Sequence, residues 1–210
     1  MSGFQNPAEL DVMVRRFAAK YAFDESHADA VAHLADQLSD RLAPLLRFGA
    51  DERVLLRHAA MVHDVGYYVS GRGHHRHSAY LITEDSALEE YPASDRIRLA
   101  LLARAHRKRP PKAPREWGRD EAAVFAQMAA VLRVADGLDY NHDGTAMIGS
   151  CLIGAHAVSI EVGGVDLQAL SRVLRHKSTL FARVFDREAT FTDMPAGVSS
   201  TAASVTGGGA

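Results

Sequence analysis

The chain has 210 residues, with 24 Lys and Arg against 26 Asp and Glu, 47% hydrophobic residues and one cysteine. This balance is typical of an ordinary globular protein and excludes an overall basic nucleic-acid-binding chain. Cys151 has no partner for an internal disulfide, and no stretch is apolar enough for a signal peptide or a membrane span. We therefore expect a cytoplasmic protein with no membrane partner. Eleven histidines are the unusual feature of the composition.

Apolar residues recur at helical spacing over most of the first 142 residues. Asp24, Asp51 and Ser94 precede three of these stretches as candidate N-caps, and Pro110 and Pro111 end the fifth. The predicted helices span residues 7–21, 24–45, 51–65, 74–82, 94–109 and 120–136. This pattern predicts a helical bundle.

The pattern changes beyond residue 142. The predicted elements there are short strands at 146–148, 151–153 and 157–162, a helix over 167–185 and a last strand at 189–192. Arg172 and Lys177 on the late helix are interpreted as part of a solvated face. We predict a mainly α protein with a helical domain over 1–142, a small α+β appendage over 143–192 and a disordered tail over 193–210.

Several predicted helices carry polar side chains on their inner faces. His106 continues the apolar stripe of the fifth helix, and Asp136 stands where the sixth helix would carry a core leucine. A bundle interior cannot hold many such groups unless they satisfy one another or bind an ion. Imidazole and carboxylate donors without a cysteine cluster favour divalent Mn, Fe, Co, Ni, Zn or Mg over a thiolate zinc site. The candidate ligands are His27, His63, Asp64, His77, His106 and Asp136.

Four sequence blocks resemble a known family and occur in its order. They cover residues 59–67, 73–82, 105–108 and 132–139. The chain resembles the HD phosphohydrolase superfamily and, within it, the C-terminal HD region of the exopolyphosphatase and guanosine-pentaphosphate phosphatase (Ppx/GppA) family, over about residues 15–192. The fold that this implies is an HD-domain helical bundle.

The resemblance also implies a set of metal ligands. Asp64 would bridge two ions, with His27, His63 and Asp136 around one of them and His77 and His106 around the other. Taken alone, His63-Asp64 can be a helix-end histidine beside a local cap, and Asp136 can pair with a buried Arg or His.

The second ion is the more open part of this prediction. A site with a single ion would leave His77 and His106 as substrate contacts. His74 or His75 could replace His77 around the second ion, or could contact a phosphate.

The implied reaction is the hydrolysis of a phosphoester of a small molecule, such as a nucleotide, by metal-activated water. The candidate catalytic residues are Asp64, Arg107 and Lys108. The candidate substrate contacts are Arg72, His74, His75, Arg107, Lys108 and Arg133. Few aromatic residues accompany the basic run at 104–119, so we expect no nucleic-acid partner, while a homodimer stays open.

Two other functions remain in competition. We expect this chain to lack the actin-like ATPase-fold domains of the full-length family, so polyphosphate and guanosine-pentaphosphate hydrolysis do not carry over. The chain could instead be a regulatory module that binds polyphosphate or guanosine polyphosphate, or a metal-free oligomerisation unit. The presence of both Asp64 and Asp136 favours the enzyme.

Overall fold

The computed structural model describes residues 6–108 and 110–195. Within this part of the chain there are eight α-helices and three strands, joined in places by 3-10 turns at Ala43–Leu45, Val65–Tyr68 and Ser86–Leu88. The helices and strands are α1 (Pro7–Ala18), α2 (Glu25–Arg41), α3 (Ala50–Val62), α4 (His74–Glu84), α5 (Ala93–Ala105), α6 (Arg119–Leu138), β1 (Met147–Ile153), β2 (Ala157–Gly163), α7 (Leu167–Lys177), α8 (Thr179–Phe185) and β3 (Glu188–Asp193). The prediction of a mainly α protein with a small α+β appendage is confirmed. Most of the tail predicted over 193–210 lies outside the described residues.

The helix starts follow the predicted caps only in part. Asp24 caps α2, because its carboxylate accepts a hydrogen bond from the backbone N–H of His27 at 3.0 Å. The prediction that Asp51 caps the third helix is wrong, since α3 begins after Gly49, whose N–H donates to the Glu52 carboxylate at 2.9 Å. Likewise, α5 begins directly after Pro92 rather than after Ser94.

One predicted helix is two helices in the structure. The stretch over 167–185 is interrupted at Ser178, which separates α7 from α8. The Ser178 hydroxyl donates to the carbonyl of Leu174 at 2.7 Å, a local bond of the kind that bends helices.

The long helix α6 lies at the centre of the fold. It contacts α2, α3 and α5 of the helical bundle and also α7 and α8 of the appendage. Nearly every side chain from Phe125 to Leu138 is buried, including the charged residues Arg133 and Asp136. Because α6 is buried from Phe125 onward, the polar residues of this stretch need partners inside the protein.

The sheet of the appendage has the order β1-β2-β3, with β1 antiparallel and β3 parallel to β2. Helices α7 and α8 form the crossover between β2 and β3. Two side chains of α2 form hydrogen bonds with the backbone of β1, so the sheet also contacts the bundle. Gln37 accepts from the N–H of Ile148, and Arg41 donates to the carbonyl of Gly149. None of the helices in the described ranges combines the length and the apolar character that a membrane crossing needs.

Candidate metal centre

The ends of several helices meet at one buried point. His63 and His106 follow the last residues of α3 and α5, and Asp64 comes next to His63. His27 lies in the first turn of α2, and His74 is the first residue of α4. The partial negative charge at the carboxyl ends of α3 and α5 favours a cation between them.

The carboxylate of Asp64 lies between two pairs of histidines. Its Oδ2 is 4.0 Å from Nε2 of His27 and 3.5 Å from Nε2 of His63. Its Oδ1 is 3.4 Å from Nε2 of His74 and 3.5 Å from Nε2 of His106. We call His27, His63 and Asp64 the first group, and Asp64, His74 and His106 the second group. Donors that share an ion at about 2.1 Å each lie about 3–4 Å apart, so both groups have the spacing of metal ligands.

All four rings are anchored through their other nitrogen. Nδ1 of His63 is 2.7 Å from the Ala60 carbonyl oxygen, and Nδ1 of His106 is 2.6 Å from that of Ala103. An N–H at Nδ1 that donates to a carbonyl leaves Nε2 with a free lone pair. The corresponding acceptors are the Asp139 carboxylate for His27 at 2.7 Å and the Gly71 carbonyl for His74 at 3.1 Å.

Several ligand atoms that face the centre lack a hydrogen-bond partner. Within residues 6–108 and 110–195, Nε2 of His27, Nε2 of His63 and Oδ1 of Asp64 are buried without a hydrogen bond. The Nε2 atoms of His74 and His106 are 3.1 Å apart, and two lone pairs at that distance repel unless a cation or a proton lies between them. The residues therefore fit a divalent cation in each group.

The protonation states favour ligation at the second group. Burial lowers the pKa of His106 to about 3 and also lowers the pKa of His74, so both rings are neutral at neutral pH. Burial would raise the pKa of Asp64, but the surrounding histidines outweigh it and lower that pKa. Neutral imidazoles around a carboxylate are the form that binds metal.

His27 is held between two acidic residues. Burial alone would lower the pKa of His27, but interactions with Asp136 and Asp139 raise it to about 9. These carboxylates therefore favour a positive charge on or beside the ring, which either a proton or a metal ion supplies. The buried carboxylate of Asp139 also accepts a hydrogen bond from the Gly144 N–H at 2.8 Å, so its orientation is set from both sides.

We expect Asp139→Asn to lower the affinity for a divalent cation about 10–100-fold. The asparagine oxygen can keep the bond to Gly144, which turns its NH₂ towards Nδ1 of His27 and forces the ring proton onto Nε2. Isothermal titration of the chelator-treated protein with Mn²⁺ measures the change. Asp143→Asn, at an exposed carboxylate, is the matched control and should bind like the native protein. An unaltered affinity in Asp139→Asn would contradict the tautomer explanation.

Asp136 lies at the edge of the first group. Its Oδ1 is 3.7 Å from Nε2 of His27, while its Oδ2 forms an ion pair with Lys177. Burial would raise the pKa of Asp136, but Lys177 and His27 outweigh it and hold the pKa well below its ordinary value. The interpretation of Lys177 as a solvated residue is wrong, because its side chain is only 12% exposed.

His77 is not where the prediction placed it. It is half-buried and belongs to neither group, and His74 stands beside His106 instead. The Ser78 hydroxyl donates to the His63 carbonyl at 2.6 Å, so the face of α4 that carries His74 and Ser78 is turned to the centre. His77 precedes Ser78 by one residue and is therefore rotated by about 100° away from that face.

The predicted substrate contacts fall into two sets. Arg72, Arg107 and Lys108 are exposed, whereas His75 is buried with its ring edge-on to His106 at 6.3 Å. The prediction for Arg133 is wrong, because its guanidinium is buried under the turn after α5. There it donates to the carbonyls of Ala105, Lys108 and Lys177 at 3.1, 2.7 and 3.4 Å.

Two rings beside the centre could not be placed by helical spacing: Tyr67, which the sequence offers with Tyr68, His75 and Asp139 as an unresolved choice of general acid, and His142, which sequence reasoning missed. Tyr67 stacks on His74 with ring centroids 4.0 Å apart, and burial and Asp64 raise the pKa of its phenol although Arg107 is near it. His142 stacks on His27 at 3.7 Å. Both residues lie in turns outside the helices, where periodicity carries no signal.

The fold and the centre define a mainly helical protein with a buried His/Asp site that could hold a metal ion. Comparison with known families gives a match to Ppx/GppA phosphatase, domain III, over residues 11–180. The chain belongs to this family, which confirms the predicted relationship to the Ppx/GppA family. The assignment to the HD superfamily stays a prediction.

Proposed function

We propose that the chain is a metal-dependent phosphohydrolase of the HD type. The observation that carries the proposal is the arrangement of His27, His63, His74 and His106 around Asp64. Each ring is anchored through Nδ1 and turns Nε2 towards an oxygen of this one carboxylate. A structural role would not require four ring nitrogens directed at one acidic group.

The two groups of ligands support a site for one or two ions. His27, His63 and Asp64 would hold one cation, and Asp64, His74 and His106 would hold the other, with Mn, Fe, Co, Ni, Zn or Mg as candidates. When bound, such ions lower the pKa of a water molecule and orient a phosphate for in-line attack. The chain itself excludes bulk water from these ligands, since all five side chains are buried.

The cations at the end of α5 support a phosphorylated substrate. Arg107 and Lys108 follow His106 directly and are exposed, so they can bind phosphate oxygens that approach the second group. Tyr67 stacks on the ring of His74, and its phenol interacts with Arg107. We propose a small phosphorylated molecule such as a nucleotide, in the cytoplasm, as the substrate.

One observation favours a second function, a module that binds phosphate ligands without hydrolysing them. The ammonium of Lys177 already neutralises Asp136, so this acidic residue has a cation without any metal. Such a module would bind inorganic polyphosphate equally well after removal of the metal with a chelator. An enzyme would lose turnover under the same conditions.

The test is elemental analysis of protein purified without a tag or chelator, followed by phosphate release from a panel of phosphomonoesters and nucleotides. We expect about two equivalents of transition metal, because the two oxygens of Asp64 face separate pairs of histidines. His27→Gln should lose metal from the first group and most of the hydrolysis. His33→Gln, at an exposed position of the same helix, is the control and should match the native protein. Absence of metal after reconstitution would reject the proposal.

A further inference from the structure

Lys177 joins the appendage to the candidate metal centre. It is the last residue of α7, and its ammonium forms an ion pair with Oδ2 of Asp136. The same Nζ also donates to the carbonyl of His106 at 3.3 Å. One lysine thus contacts a carboxylate of α6 and the turn that carries a ligand of the second group.

The path of this side chain depends on a glycine of α6. A Cβ atom at Gly137 would lie 3.0 Å from Cγ and 3.1 Å from Cβ of Lys177, so the lysine stem lies against the bare helix backbone. Arg133 of the same helix donates to the Lys177 carbonyl at 3.4 Å. Helix α6 therefore contacts Lys177 in three places. Arg133 bonds the lysine carbonyl, Gly137 lies against the aliphatic part of the side chain, and Asp136 pairs with the ammonium.

The two oxygens of Asp136 have different surroundings. Oδ2 contacts the ammonium of Lys177, and Oδ1 faces Nε2 of His27 at 3.7 Å. A carboxylate that gives one oxygen to an ammonium has only the other oxygen for a second cation. Its negative charge is also largely compensated.

We propose that Lys177 is a positioning residue of the metal centre, which holds Oδ2 of Asp136 so that Oδ1 alone faces a cation at His27. The α+β appendage thereby takes part in the centre and sets its charge. This inference rests on the proposed function, because it assumes that a divalent cation binds at His27, His63 and Asp64.

The test compares the binding of Co²⁺ by chelator-treated native protein and by Lys177→Met, which keeps the stem and removes the charge. We expect Lys177→Met to bind Co²⁺ about tenfold more tightly, because a positive charge beside the site is removed. We also expect a changed visible absorption spectrum, because both oxygens of Asp136 become free to coordinate. Lys177→Arg, which restores the charge, should return the affinity and the spectrum towards native values.

Arg172→Met is the matched control, since it removes a charge from an exposed position of the same helix. It should bind Co²⁺ with native affinity and spectrum. If Lys177→Met keeps the native affinity and spectrum, the inference is overturned while the proposed function stands. If neither protein binds Co²⁺, the proposed function and the inference fail together.

A second measurement needs no variant and covers the case in which Lys177→Met does not fold. Reductive methylation of the native protein, read by mass spectrometry, reports which lysines are accessible. We expect Lys177 to resist methylation with and without Co²⁺, whereas the exposed Lys112 reacts in both states. Reaction of Lys177 after Co²⁺ is added would show that the cation displaces it from Asp136 and would overturn the inference.

Discussion

Replacement of Asp64 by asparagine is expected to remove divalent-cation binding from both groups at once, with a loss of affinity of at least about 100-fold. Both oxygens of this carboxylate face histidine pairs, so a single substitution changes a ligand of each group. Asparagine offers only one oxygen and no negative charge. Hydrolysis of any phosphoester that the native protein accepts should fall with the metal.

The measurement for Asp64→Asn is metal content together with thermal unfolding, with and without added Mn²⁺. A ligand that binds only the folded state raises the midpoint, so Mn²⁺ should stabilise the native protein and leave Asp64→Asn unchanged. Asp29→Asn, at a carboxylate that is 59% exposed, is the control and should respond like the native protein. Native metal content in Asp64→Asn would contradict the bridging role.

The second large effect is expected for Gly66→Ala, which should destabilise the protein by about 3 kcal/mol. A Cβ atom at Gly66 would lie 2.1 Å from the carbonyl oxygen of His74 and 2.4 Å from the backbone nitrogen of Ser78. These are backbone atoms of α4, so the clash is relieved only if the helix moves. Such a movement takes His74 away from Asp64 and weakens the second group.

Chemical denaturation of the metal-free protein measures this loss of stability. Gly71→Ala is the matched control in the same loop, because its Cβ would meet only the Tyr67 ring at an ordinary contact distance of 3.4 Å. We expect it to change the free energy of unfolding by less than about 1 kcal/mol. Equal stability of Gly66→Ala and Gly71→Ala would contradict the close packing of the loop on α4.

Much of the candidate centre could be predicted, and the failures have a common cause. His27, His63 and His106 were placed by helical phase, and each lies at the centre with its Nδ1 anchored. The predictions for His77 and Lys177 failed. Helical phase relates residues of one helix to one another, whereas the face that a helix turns to its neighbours depends on tertiary packing.

The sequence by itself determined the succession of helices and strands and the order of the His and Asp residues that relate the chain to its family. These features are local, since they arise from the spacing of apolar residues, from turn residues and from short blocks. Only the tertiary structure decided which face of α4 points towards the centre, and therefore that His74 lies there. It also decided that Arg133 is buried and that the side chain of Lys177 packs against Gly137. Each depends on two elements that are distant in sequence and meet only after folding, so no pattern within one segment encodes it.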